Sequence, residues 1–183
     1  MTCIVAIRDG GNVILGGDSA SVAGYDVRII ARPKVFVRGD LAIGYTDSFR
    51  MGQLLETKLE VPRDGFRDLV DELPDAVRKC FGDGGYKETD KGREEGGTFL
   101  VGWKGRIFHI GSDFQVNERA EYFDACGCGE QYARGFLCAV YGDSVPLFSI
   151  GGQMMIYEAN RALECAARFS AGVRGPFSFV VAP

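Results

Sequence analysis

The sequence predicts a layered α+β domain. Short apolar runs fall into two groups, Cys3 to Tyr45 and Thr98 to Phe123, and each group is followed by a pair of segments with helical periodicity. Strands and helices do not alternate one by one, so a parallel sheet of crossover units is not expected. Runs such as Cys3 to Ala6 and Phe177 to Val181 are apolar at nearly every position, which suits strands covered on both faces. No repeat, linker or break in composition divides the 183 residues, and a single domain, 1–183, is expected.

The elements follow in order. Cys3 to Arg8 and Val13 to Gly17 flank Asp9-Gly10-Gly11-Asn12, a hairpin signal. Val27 to Ala31, Val35 to Val37 and Leu41 to Tyr45 read as further strands. The period then changes. Met51, Leu54, Leu55 and Leu59 mark one helical face, with Thr46 or Asp47 as the expected cap. Phe66, Leu69, Val70, Leu73 and Val77 mark a second helix, in which Pro74 is expected to kink or split the turn. The polar, glycine-rich stretch Gly82 to Gly96 reads as an exposed loop. Thr98 to Gly102 and Arg106 to Ile110 form a hairpin about Lys104-Gly105, and Phe114 to Asn117 and Ala120 to Phe123 are short strands. Gln131 to Tyr141 is a third helix, with Tyr132, Phe136, Leu137 and Val140 on one face. Met155, Ala159, Leu163 and Ala166 mark a fourth helix, and Pro176 to Val181 a closing strand. Glycine is abundant, 26 of 183 residues, mostly at turns or in pairs.

Composition excludes several function classes. The formal charge of −4 and the absence of a Lys/Arg stripe argue against nucleic acid as a partner. No apolar run approaches the roughly 18 residues of a membrane span, and Met1 to Gly10 does not have the form of a signal peptide. A cytoplasmic protein, with only Met1 ahead of Thr2, is the expectation. The six cysteines, at 3, 80, 126, 128, 138 and 165, are read as free thiols, Cys138 and Cys165 as small buried apolar groups. Cys126 and Cys128 lack a second pair at metal-finger spacing, and His109 is the only histidine; no metal or other cofactor is expected. His109 lies in an alternating strand, and a Ser-His-Asp triad has no support.

The residues that carry chemistry are Thr2, Asp18 and Lys34. Removal of Met1 would give Thr2 both a hydroxyl nucleophile and a free α-amine base. Taken singly, Asp18-Ser19 reads as a turn and Lys34 as an edge-strand charge. The words around them make a set: Thr2-Cys3-Ile4-Val5-Ala6, Gly16-Gly17-Asp18-Ser19-Ala20 and Arg32-Pro33-Lys34-Val35-Phe36. This set resembles the proteasome β-type subunits and the bacterial two-component ATP-dependent protease of the same N-terminal nucleophile superfamily. Gly127-Cys128-Gly129 resembles the family's Gly-Ser-Gly, and Ser170-Ala171-Gly172 its Ser-Gly-Gly.

The resemblance sharpens the fold to a four-layer αββα sandwich of two antiparallel sheets with helices outside. It implies an N-terminal threonine peptidase acting on peptides or unfolded proteins inside a homo-oligomeric ring, with an ATPase unfoldase as a candidate partner. Site residues carried over are Thr2, Asp18, Lys34, Cys128 and Ser170. In chemical terms, an α-amine with a reference pKa of about 7.7 is suited to take the hydroxyl proton at neutral pH. A nearby Lys34 would disfavour a second positive charge on that amine and stabilise an alkoxide, while Asp18 would hold and orient Lys34. The oxyanion donor should follow the strand Leu41 to Tyr45, where the family has a glycine. Here the stretch reads Thr46-Asp47-Ser48, so the donor is the N–H of Asp47 or Ser48.

The pattern also departs from the family. Ala20 stands where an arginine is usual, Cys128 where a serine is, and Ala167 where a carboxylate is. These departures leave two alternatives open: a ring-forming scaffold of the same fold with little or no activity, and, further off, an amidase whose nucleophile is Cys3.

Overall fold

The computed structural model describes residues 1–90, 93–142 and 151–183. Among these are thirteen strands and four helices. The sequence expectation of two antiparallel sheets between pairs of helices holds.

The first sheet is built on β1 (Cys3–Arg8) and β2 (Val13–Gly17), joined by the expected tight turn. β12 (Phe123–Gly127) and β13 (Ser178–Val181) complete it, in the order β12-β1-β2-β13. The second sheet contains β5 (Val35–Arg38), β6 (Leu41–Tyr45), β9 (Phe99–Trp103), β10 (Arg106–Ile110) and β11 (Val116–Glu118), in the order β11-β10-β9-β6-β5. The β9–β10 turn is built by Lys104 (φ 48°) and Gly105 (φ 73°), the double left-handed geometry that matches strand twist.

Three apolar layers follow from the period-two alternation of these strands. Cys3, Val5 and Ile7 face one way, against α3 (Glu130–Tyr141) and α4 (Gly152–Phe169) through Leu137, Met155, Leu163 and Ala166. Ile4 and Ala6 face the other way and meet Val35, Ala42 and Leu100 of the second sheet. The outer face of that sheet, including Ile43, Val101 and Phe108, packs on α1 (Phe49–Thr57) and α2 (Leu69–Asp83). Gly44 permits the close approach of the sheets: a Cβ there would lie 2.5 Å from Ile4 Cγ2.

Several local expectations are corrected. Ser48, not Thr46 or Asp47, caps α1, its Oγ accepting from Arg50 N at 3.1 Å. Leu59 and Phe66 are buried but lie outside the helices assigned to them. Pro74 does not split α2: the buried stripe Leu69, Leu73, Val77 and Phe81 holds the helix across the one missing N–H. The segment 82–96, part of which lies outside the described residues, pairs β7 (Glu88–Asp90) with β8 (Arg93–Glu95). A strand not foreseen, β3 (Ala20–Ala23), pairs with β4 (Asp26–Ile29) in a hairpin with Tyr25 exposed at its tip. The strands expected at 114–117 and 120–123 start later, β11 at Val116 and β12 at Phe123, the last residue predicted for it, and β12 runs on to Gly127. Cys138 is exposed and Cys165 half-buried, because Ala133, Leu137, Ala162 and Ala166 occupy the inward face of those helices.

Candidate active site

Strand register delivers the three predicted residues to one place. Ile4 pairs with Gly17, which sets Asp18, just past the end of β2, beside the start of β1. The contact is fastened twice: Asp18 N donates to Cys3 O at 3.3 Å, and Cys3 N donates to Asp18 Oδ1 at 3.0 Å. Lys34 arrives from the second sheet, directly before β5, and its carbonyl accepts from Tyr45 N at 3.1 Å.

Lys34 Nζ donates to Thr2 Oγ1 at 2.9 Å, to Asp18 Oδ1 at 2.9 Å and to Ala20 O at 2.6 Å. The side chains of Lys34 and Asp18 have no solvent exposure, and Thr2 is buried to within 5%. Lys34 ranks among the largest fully buried side chains of the described residues. Burial pushes its pKa below the ordinary 10.5, and the neighbouring Asp18 carboxylate opposes part of that fall. Asp18 Oδ2 accepts from Ala20 N at 2.9 Å and Arg174 N at 3.3 Å, so both carboxylate oxygens are fully engaged. A buried ion pair of this kind is tolerated because every remaining polar position is satisfied.

The other two predicted residues meet each other beside this centre. Cys128 Sγ lies 3.4 Å from Ser170 Oγ. Cys128 and Met1 meet at Gly172, where a Cβ would lie 2.5 Å from Met1 Cβ and 2.8 Å from Cys128 Sγ. Neither Cys128 nor Ser170 bonds Thr2 directly. With Met1 in place the Thr2 nitrogen is an amide, and Thr2 Oγ1 donates to Met1 O at 2.6 Å.

Asp47 answers the question of the missing glycine. It adopts φ 52°, the left-handed region glycine favours and aspartate tolerates better than most residues. Its carboxylate turns away from Thr2, Oδ2 accepting from Thr98 N at 2.7 Å. Thr46 is tied to the same residue, its N and Oγ1 both donating to Thr98 O. Among the described residues no acceptor takes the N–H of Asp47 or Ser48. Those amides border a cleft of about 430 Å³ lined by Thr2, Ser21, Val22, Ala23, Tyr45 and Phe49, among others. A larger hollow of about 700 Å³, between α1 and α2, contains none of Thr2, Asp18 and Lys34.

The remaining candidates are structural. Burial pushes the Cys3 and Cys126 thiols up, away from the reactive thiolate. His109 Nδ1 pairs with buried Asp124 at 2.9 Å, and Arg119 and Arg134 approach the same carboxylate. Among the described residues no group of three His, Cys, Asp or Glu is placed to hold a metal. What sequence reasoning missed is mostly main chain: Ala20 N and O, Cys3 N and Arg174 N carry no side-chain signal. Ala20, standing where the resemblance implies arginine, works through its backbone alone.

No protein-family model and no curated protein matches the sequence. Solved structures do match. Thiobacillus denitrificans BPH superposes with a TM-score of 0.76 at 19% identity, over 98% of this chain and 96% of that one. The same protein in complex with epoxomicin gives 0.78 at 19% identity, over 98% and 97%. Eukaryotic HslV from Trypanosoma brucei gives 0.66 at 19% identity, over 98% of each chain. The chain has the proteasome-like N-terminal nucleophile hydrolase fold. At this identity the likeness is one of fold, and the resemblance read from the first thirty-six residues holds at that level. No helix among the described residues is long and apolar enough to cross a membrane.

Proposed function

We propose that this chain is an N-terminal threonine peptidase of the proteasome-like kind. The observation that carries the reading is the placement of Lys34 Nζ at 2.9 Å from both Thr2 Oγ1 and Asp18 Oδ1, inside a buried, fully bonded site. The surrounding chemistry supports it.

Once Met1 is removed, the Thr2 α-amine accepts the Oγ1 proton as Oγ1 attacks a substrate carbonyl in the adjoining cleft. The charged Lys34 disfavours an ammonium at that amine before attack and steadies the developing alkoxide. The carbonyl oxygen takes the negative charge and is met by the free N–H of Asp47, with that of Ser48 beside it. Collapse breaks the C–N bond. The α-ammonium returns its proton to the leaving amine, and an ester on Oγ1 remains. Water, deprotonated by the same amine, hydrolyses that ester and restores Thr2. Cys128 and Ser170 border the space the amine enters and would orient it by weak hydrogen bonds.

The substrate class is peptide or unfolded protein. The working form is a homo-oligomeric ring in the cytoplasm, with Thr2 facing an inner chamber and an ATPase unfoldase supplying substrate. Sequestration of that kind protects the surrounding proteins, and closed symmetry is the usual outcome of heterologous contacts. The Thiobacillus denitrificans BPH structure carries epoxomicin, which makes that compound a direct probe here.

The test combines intact mass, kinetics and light scattering. Met-free protein should cleave short fluorogenic peptides, retain epoxomicin and scatter as a ring. Thr2→Ala should fold normally and do neither of the first two. Cleavage unchanged in Thr2→Ala would assign the activity to another nucleophile. Quantitative retention of Met1 in an assembled ring would favour the inactive scaffold, and a monomer in processed protein would remove the ring.

A further inference from the structure

The chain following α4 contains a device that the reaction above does not use. The Arg174 guanidinium folds back on its own segment. Its Nη1 donates to the carbonyl oxygens of Ala167 at 3.3 Å, Ser170 at 3.1 Å and Val173 at 2.6 Å. Two N–H bonds shared over three carbonyls hold the turn from 170 to 174 closed against the end of the helix. Carbonyls at a helix C-terminus lack intrahelical partners and carry partial negative charge, so a cation there is favourable.

The consequence lies on the other side of the turn. With the segment wound in this way, the main chain of residue 174 faces the ion pair. Arg174 N donates to Asp18 Oδ2 at 3.3 Å, and Arg174 O accepts from Ser19 N at 2.9 Å. These two bonds grip the Asp18-Ser19 unit on the side opposite Lys34. They leave Oδ1 facing Lys34 Nζ and Cys3 N. The same turn sets Ser170 Oγ beside Cys128 Sγ.

We infer that Arg174 is a positioning residue: its guanidinium holds the 170–174 turn, the turn holds the Asp18 carboxylate, and Asp18 holds Lys34 against Thr2. The inference rests on the reading of Lys34 and Asp18 given above, and it adds a residue 156 positions from Asp18 to that machinery. A simple helix cap would stabilise α4 and do nothing more. A positioning residue also changes the electrostatics at Lys34. Burial has the largest effect on the Lys34 titration, and the titratable groups that act on it are Asp18, Cys128 and Cys3, joined by the Thr2 α-amine once Met1 is removed. Only Asp18 is gripped by Arg174. If the grip loosens, the counter-charge on Lys34 weakens while its burial remains.

The test uses the full chain with Arg174→Ala, Arg174→Gln and Arg174→Lys. Lys34 Nζ is titrated directly by NMR on protein with isotope-labelled lysine side chains, next to a thermal melt and peptide kinetics on Met-free protein. Arg174→Ala should move the Lys34 titration to lower pH by about half a unit or more. It should also lower kcat about tenfold with KM little changed. Arg174→Lys keeps a cation within reach of the same carbonyls and should recover part of both. If Arg174→Ala does not fold, Arg174→Gln, which keeps one donor group, should show the same displacement of the Lys34 titration. A lower melting temperature with the titration and kcat per folded site unmoved would make Arg174 a helix cap only and overturn the inference. The titration does not depend on turnover. A wild type that cleaves nothing would remove the peptidase reading and leave this coupling measurable, while cleavage with an unmoved Lys34 would remove the coupling alone.

Discussion

Replacing Lys34 with methionine removes the ammonium and keeps most of the side-chain volume, so it isolates the charge. The wild-type Nζ bonds Thr2 Oγ1, Asp18 Oδ1 and Ala20 O, and neither it nor Asp18 reaches solvent. In Lys34→Met the Asp18 carboxylate stays buried without its counter-charge, and breaking a buried pair from one side costs about 3–5 kcal/mol. Asp18 keeps three N–H donors, from Cys3, Ala20 and Arg174, which puts the expectation at the lower end, about 3 kcal/mol. For a chain of 183 residues that corresponds to a fall in Tm of roughly 6–12 °C. Activity should fall much further. At a temperature where both proteins are folded, kcat for a fluorogenic peptide should drop by about 10²–10⁴, the usual worth of a positioned proton-transfer and charge-stabilising apparatus. The double variant Asp18→Asn with Lys34→Met separates the two effects. It removes the orphaned charge and should recover more than half of the lost Tm, with none of the lost activity. Circular dichroism melts and steady-state kinetics on Met-free protein provide both readings. A single variant that melts within about 2 °C of the parent, or still cleaves at the parent's rate, would refute the argument that this charge is both structurally paired and chemically required.

Three further outcomes are expected. Because Lys34 must be charged to act, and burial holds its pKa below 10.5, activity should fall on the alkaline side at a pH below 10.5; an alkaline limb at or above that value would contradict it. Asp47→Gly keeps the left-handed backbone and loses only the Thr98 bond, about 1 kcal/mol, whereas Asp47→Ala adds roughly 1–2 kcal/mol of backbone strain; equal urea midpoints for the two would show that the φ of 52° is not what this position demands. A limiting dose of an alkylating reagent should label Cys128 and Cys138 before buried Cys3 and Cys126, and labelling at Cys128 should suppress peptide cleavage in the parent but not in Cys128→Ser, as peptide mapping and kinetics would show.

The two-sheet architecture was legible because each strand carries its own signal. Cys3 to Arg8 and Val13 to Gly17 are apolar on both faces, and the turn between them has unmistakable chemistry. Boundaries failed where local and tertiary demands differ. Pro74 is a helix breaker in isolation, yet α2 runs through it because the buried stripe on either side outweighs one lost hydrogen bond. β3 went unseen because Ala20 to Ala23 has no strong strand preference and is held by its pairing with β4. Cys138 and Cys165 were misplaced because an apolar pattern in a helix does not say which neighbours reach the core first.

The sequence by itself determined the fold class and the strand words, since apolar pattern and spacing are local quantities, and the resemblance carried by the words around Thr2, Asp18 and Lys34 singled out those three residues. Only the tertiary structure decided how those residues are held. The Ala20 carbonyl on Lys34, the Cys3 and Arg174 amides on Asp18, and the left-handed Asp47 tied to Thr98 are mostly main-chain contacts made between distant segments. Every residue except proline carries the same backbone donor and acceptor, so nothing in the residue name marks which of them will meet. That is settled when the first sheet brings Cys3 and Asp18 together, the second sheet brings Lys34 across, and the turn after α4 closes on both.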